Sequence, residues 1–472
     1  MKRRLLRLGL WLLGIAVLVV ALGAGGFLVF LNKFNPAPPA LDYPHPANAL
    51  EAQRQDLDYF GKLVAMDRAF SPAARQEADR RLAALRALPT ALDRGHFRVA
   101  LMEIVALADN GHTRLGPSQK DSQQQPELPI RVTLFADGLY VMRAQDADAD
   151  LLGAKVEAVD GIPVADVLKR LETLRGGIAA WRRFDAVSLI HQQDILFGLG
   201  IAHAANASEW TFVTPAGSRI VRRLDAYTPA KAEPLARPSR WLSVEPFKGL
   251  DKGWKGYVPP GFTAPTTFQA FDTAFREVRL SGSCAVLVQM KGMLDLGGQH
   301  IADFLQATEA DLMAHKPCAV ILDLRYDGGG NYTNFYDFAN RLPGMIAPGG
   351  RIYLLTGPQT FSAAITSTAF VKQAGGARVT ILGEPVGDRL KFYAEGNRGC
   401  LPNYQLCFGY QTGLHDYQHP CNDLDRCFWL NYFYPVRVDT LEPDETMTLS
   451  FADWSAGHDP VFERAVALAN AK

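Results

Sequence analysis

Ala319-Val320-Ile321-Leu322-Asp323-Leu324-Arg325-Tyr326-Asp327-Gly328-Gly329-Gly330-Asn331 is the stretch on which the fold turns. Four consecutive apolar residues ending at a glycine turn describe a short strand buried on both faces. The same texture recurs at 285–288, 352–355 and 379–382, and helical patterns over 301–314, 333–342 and 363–373 fill the gaps between. Apolar strands joined by crossover helices predict an α/β unit built on a mostly parallel sheet. Ligands in such sheets sit at the carboxyl ends of the strands, so the chemistry is expected just after Leu322, Leu355 and Leu382.

The turn after Leu322 offers Gly328, Gly329 and Gly330, whose backbone N–H groups are free to line an oxyanion hole or a phosphate cradle. A phosphate loop would need Gly-Lys-Ser/Thr and a dinucleotide site GxGxxG opening a helix; both patterns are absent here. After Leu355 comes Thr360-Phe361-Ser362-Ala363-Ala364, with Ser362 at the start of a helix. A serine there can cap the helix, or present its hydroxyl beside N–H groups that stabilise an oxyanion. Both uses remain open at this point.

Outward from the core, the N-terminus decides the compartment. Lys2, Arg3, Arg4 and Arg7 precede an uncharged apolar run over 8–31. As a helix these 24 residues span about 36 Å, enough to cross a hydrocarbon core of about 30 Å with the basic flank in the cytoplasm. Ala21-Leu22-Gly23 offers a signal-peptidase site, but the run continues past it, so a retained anchor in the inner membrane with a periplasmic body is expected. Residues 1–33 form the anchor, and the proline-rich 34–47 reads as a spacer. Residues 48–120 read as a helical cap whose last helix stops at Asn110-Gly111, presenting His112. Residues 121–245 carry short strands around Asp137-Gly138 and Asp160-Gly161, then a helical stretch over 184–199 and a hairpin signal at 214–217; 246–472 hold the sheet. Lys+Arg and Asp+Glu both number 49, so no net positive field gathers nucleic acid.

Four stretches carry a resemblance: AVILDLRYDGGGN over 319–331, TFSAA over 360–364, GEPVG over 383–387 and GHDPVFE over 457–463. They resemble, in order, the tail-specific or C-terminal processing serine peptidases, which have a ClpP/crotonase-like core. DNGHTRL over 109–115 resembles the tricorn-type branch, and 153–164 resembles the second half of a PDZ domain. The resemblance implies a cofactor-free, metal-free hydrolase acting on polypeptides, in which Ser362 attacks the carbonyl and His112 is the base. It further implies an oxyanion hole from the N–H groups of Ala363 and Gly329, with Gly330 and Asn331 in substrate contact. Bacterial processing enzymes of this type place a lysine directly after the GExTxG stretch; here Asp388-Arg389 stands there and the nearest lysine is Lys391, which favours the histidine variant. The third catalytic member is Glu395, Asp439 or Glu442.

Two other readings compete. His415 and His419 have the i, i+4 spacing of a zinc hydrolase, but Asp416 follows the first histidine and Pro420-Cys421 breaks the helix such a site needs. A catalytically inactive relative that binds peptides or hydrophobic ligands would keep the same fold. Of the six cysteines, Cys400 with Cys407 and Cys421 with Cys427 are expected as local disulfides in a loop-rich, oxidised segment. Cys284 and Cys318, at strand starts, are expected to be reduced.

Overall fold

The computed structural model describes residues 2–118, 125–228, 241–244, 253–404 and 406–471. In chain order the helices are α1 (Lys2–Phe34), α2 (Ala49–Met66), α3 (Pro72–Arg86), α4 (Arg94–Ala106), α5 (Val164–Glu172), α6 (Ala179–Ala186), α7 (Gln193–Gly198), α8 (Ile301–His315), α9 (Tyr336–Met345), α10 (Ala363–Gly375), α11 (Phe451–Ser455) and α12 (Pro460–Asn470). The strands are β1 (Arg114–Pro117), β2 (Ile130–Phe135), β3 (Gly138–Gln145), β4 (Lys155–Val159), β5 (Ile162–Pro163), β6 (Ala207–Val213), β7 (Arg219–Asp225), β8 (Trp254–Gly256), β9 (Phe275–Arg279), β10 (Ala285–Met290), β11 (Ala319–Asp323), β12 (Arg351–Thr356), β13 (Val379–Gly383), β14 (Lys391–Cys400), β15 (Leu406–Asp416) and β16 (Glu445–Thr446).

The apolar runs form the expected sheet, ordered β16-β13-β12-β11-β10-β9, with every neighbouring pair parallel except β10 and β9. α8, α9 and α10 are the crossovers. Leu287, Ile321, Leu354 and Ile381 have no exposed surface, which is why these strands show no polar alternation. A second, antiparallel sheet runs β2-β3-β4-β6-β7, with β5 on β4 and β8 on β3. The helical stretch over 184–199 is split between α6 and α7.

Three features depart from the sequence reading. Residues 391–416 form a long antiparallel hairpin, β14 with β15, joined by β1 in a third sheet. Gly396, Gly399, Gly409 and Gly413 interrupt its apolar pattern; Gly396 has φ +152°, and a Cβ there would lie 2.0 Å from the Tyr410 carbonyl oxygen, so a breaker in the sequence is a close strand contact in the fold. Cys284 and Cys318 are not reduced but joined. They precede the paired residues Ala285 and Ala319 of adjacent parallel strands, which brings their Cα atoms to 5.4 Å, inside the disulfide range. The local pairs Cys400–Cys407 and Cys421–Cys427 form as expected. The proline-rich segment, finally, is strapped to the body instead of standing off as a spacer: Tyr59 donates to the Pro39 carbonyl (2.8 Å) and Thr412 to that of Phe34 (2.7 Å). Within α1, Val17–Phe34 is long and apolar enough to cross a membrane.

Candidate active site

The glycine turn and the serine turn meet at the ends of β11 and β12. Phe361 N–H donates to the Asp327 carbonyl (3.0 Å) and the Thr360 hydroxyl to that of Leu324 (2.8 Å), tying the two turns together. Arg325 anchors the first of them. It forks onto Asp323 and onto Asp459, the aspartate of GHDPVFE, with all contacts at 2.8–2.9 Å. Burial alone would raise the Asp459 carboxyl, but the Arg325 guanidinium overrides it and holds it below the ordinary carboxylate range. The C-terminal motif is therefore a brace for the glycine turn.

Ser362 sits at φ +57°, ψ −124°, a strained backbone for a residue with a Cβ, just before the first turn of α10. Its side chain caps nothing there, so the capping role left open above is not used. Ala363 is the first residue of α10, and its N–H has no intrahelical acceptor. Gly329, at φ +98°, packs flat against this turn: a Cβ on it would lie 2.6 Å from Ser362 Cβ and 2.9 Å from Ala363 N. The Gly329 N–H itself donates to Asp327 Oδ1 (2.8 Å). Gly330 and Asn331 continue into a bridge with Met293, and Asn331 Oδ1 accepts from Thr333.

His112 reaches the serine turn from the other side of the site. The turn carrying it is fastened to β14, because the Asn110 side chain donates to the Tyr393 carbonyl (2.9 Å) and accepts from the Tyr393 N–H (3.1 Å), as a strand would. Arg389 clamps Asp109 from the GEPVG side (2.8 Å). The imidazole lies between Phe361, the residue before Ser362, at 4.3 Å between ring centroids, and Phe392 of β14 at 5.2 Å. It is 12% exposed. Neither ring nitrogen has a hydrogen-bond partner. Asp388 Oδ2 lies 3.8 Å from Nδ1, on a carboxylate 1% exposed whose Oδ2 is otherwise unpartnered. That separation is longer than a hydrogen bond. Burial pushes the His112 imidazole below its ordinary value, and Asp388 opposes that shift.

Glu395 is directed elsewhere. Its carboxylate faces His415 Nε2 at 3.5 Å, and Phe392 separates the His415 ring from His112 by stacking on both. Asp439 and Glu442 are exposed on the chain leading to β16, and Lys391 pairs with Asp416 at 3.4 Å while 61% exposed. Sequence reasoning missed Asp388 as the partner of His112. Its position directly after GEPVG, where a lysine would have been the base, was the available signal. A cavity of about 430 Å³ opens beside the strand ends, lined by edge strand β2, by Arg183 and Phe184 of α6, and by Gln359 and Glu384.

No family model matches the chain, and no curated protein matches its sequence. Among solved structures, mature CPAF complexed with lactacystin is similar to this chain at a TM-score of 0.56 and 14% identity, over 89% of this chain and 98% of that one. Mature CPAF is similar at a TM-score of 0.54 and 14% identity, over 89% and 97%. At this identity the likeness shows a shared fold over nearly the whole described body.

Proposed function

We propose that this protein is a membrane-anchored serine peptidase acting on exported polypeptides, with Ser362 as nucleophile, His112 as general base and Asp388 as the carboxylate that orients His112. The observation that carries it is a strained, uncapped serine whose preceding residue, Phe361, stacks on a histidine with a buried carboxylate 3.8 Å away. The fold shared with CPAF, called mature in those structures, supports the same reading.

Ser362 Oγ gives its proton to His112 as it bonds to the peptide carbonyl carbon, and the imidazolium returns that proton to the departing amine; water then repeats the sequence on the acyl-enzyme. The negative oxygen is held by the Ala363 N–H together with the glycine turn, where the Met293 bridge leaves the Gly330 N–H unused. Asp388 supports the imidazolium while it exists. Glu395 lies at one remove, its carboxylate 3.5 Å from His415, the ring that backs Phe392 and so the His112 ring. The antiparallel β2-β3-β4-β6-β7 sheet serves as the PDZ-like module: its edge β2 borders the cavity, where an extended substrate can add as a strand. The apolar α1 and the disulfides support a body on the exported side.

Incubation of the full-length protein with a denatured polypeptide, followed by analysis of new chain ends, tests the proposal. Cleavage by the wild type and none by Ser362→Ala is expected. Binding without cleavage by either would identify a non-catalytic relative.

A further inference from the structure

α1 does not leave the body as a free stalk. Its last turns carry Phe30 and Phe34, whose rings meet Phe428 at 5.6 and 5.2 Å and Trp429 at 6.2 and 5.5 Å between centroids. Lys33 Nζ lies 2.7 Å from Asp425. The loop over 421–433, closed by the Cys421–Cys427 disulfide, is thereby level with the end of the apolar run. The strap of Phe34 and Pro39 onto β15 and α2 leaves no slack for the body to lift away. On this loop Phe433 is 75% exposed, Leu424 65% and Tyr432 44%, while Phe27, Leu28 and Val29 are exposed on the adjoining helix. Exposed apolar side chains that cluster beside a membrane-length helix need an apolar cover, and aromatic residues at that level favour the headgroup region.

We propose that the 421–433 loop is a lipid-docking surface, with Leu424, Tyr432 and Phe433 seated in the interface of the same bilayer that α1 enters, so that the body rests on the membrane. This inference rests on the membrane-anchored reading above. A helix and an interfacial apolar patch together give two independent attachments, which fix orientation where one alone leaves the body free to swing. The docked loop packs behind the site, one layer away from His112: Phe428 lies 5.2 Å from the His415 ring, Asn431 bonds His415 (3.2 Å), and Tyr332, beside the glycine turn, donates to Asn431 (2.9 Å).

The test uses the full-length chain in nanodiscs of phosphatidylethanolamine and phosphatidylglycerol, carrying one environment-sensitive fluorophore at an introduced cysteine and lipids with a quencher high on the acyl chain. Labels at Phe433→Cys and, separately, Leu424→Cys are expected to emit to the blue of their water values and to be quenched severalfold. A label at Val221→Cys, exposed on β7 in another sheet, should show neither change. Leu18→Cys, within α1, reports the anchor. Quenching at 18 with water-like, unquenched labels at both 424 and 433 would overturn lipid docking and leave the anchor standing. An unquenched label at 18 would overturn both.

Discussion

At the residue scale, the proposal puts the chemistry on the imidazole of His112, and its surroundings set the pH behaviour expected of it. A general base must be neutral, and burial between Phe361 and Phe392 favours the neutral ring. The acid limb of kcat/KM is therefore expected below the ordinary histidine value of about 6.5. Asp388 stabilises the imidazolium, so Asp388→Asn should move that limb lower still while cutting turnover by roughly 10²–10⁴. A limb that rises, or unchanged turnover, would remove Asp388 from the site. Gly329→Ala should be more severe than its size suggests, since the new methyl meets Ser362 Cβ at 2.6 Å on a left-handed backbone. Loss of activity with a lowered thermal midpoint is expected, and a wild-type variant would contradict the packing described. The positions of Ser362 and His112, at a strand-to-helix turn and past a helix stop, were legible from the periodic pattern, while the roles expected of them came from the resemblance. Asp388 was not, because its place after GEPVG marks only a missing lysine until the fold brings Gly111 against its carboxylate.

At the scale of elements, the parallel strands were legible because complete burial leaves continuous apolar runs. The hairpin β14–β15 was not: its glycines and its half-buried face erase the alternation, so the strands that hold Phe392, Glu395 and His415 looked like loop. The Cys284–Cys318 bond was hidden for a related reason, since cysteines 34 residues apart become neighbours only once parallel register is known. In the chain-entropy picture a closed loop of that length contributes about 3–4 kcal/mol. Replacing both cysteines by serine should lower the unfolding free energy by that amount, measured by chemical denaturation. Thiol titration of the denatured, unreduced wild type should find no reactive groups at these positions, and two would refute the bond.

At the scale of the whole molecule, the end of α1 and the body are one packed unit. Phe34 has no exposed surface and joins the core around α10 and Phe428, so Phe34→Ala should cost the body about 3–5 kcal/mol, whereas a free spacer would make it silent. Composition gave the export signal but not this docking, because a proline-rich stretch reads the same whether it hangs free or lies along a strand. The same packing stacks His112 on Phe361, the residue before a serine that lies 250 positions later in the chain. Their partnership is the central claim, and the turnover of a denatured polypeptide by Ser362→Ala, His112→Ala and the double variant tests it most directly. Two residues acting as one catalytic unit should each cost on the order of 10⁶ in turnover, with the double variant no worse than either single one. A His112→Ala enzyme that keeps full activity, or a double variant whose loss is the product of the two single losses, would contradict it.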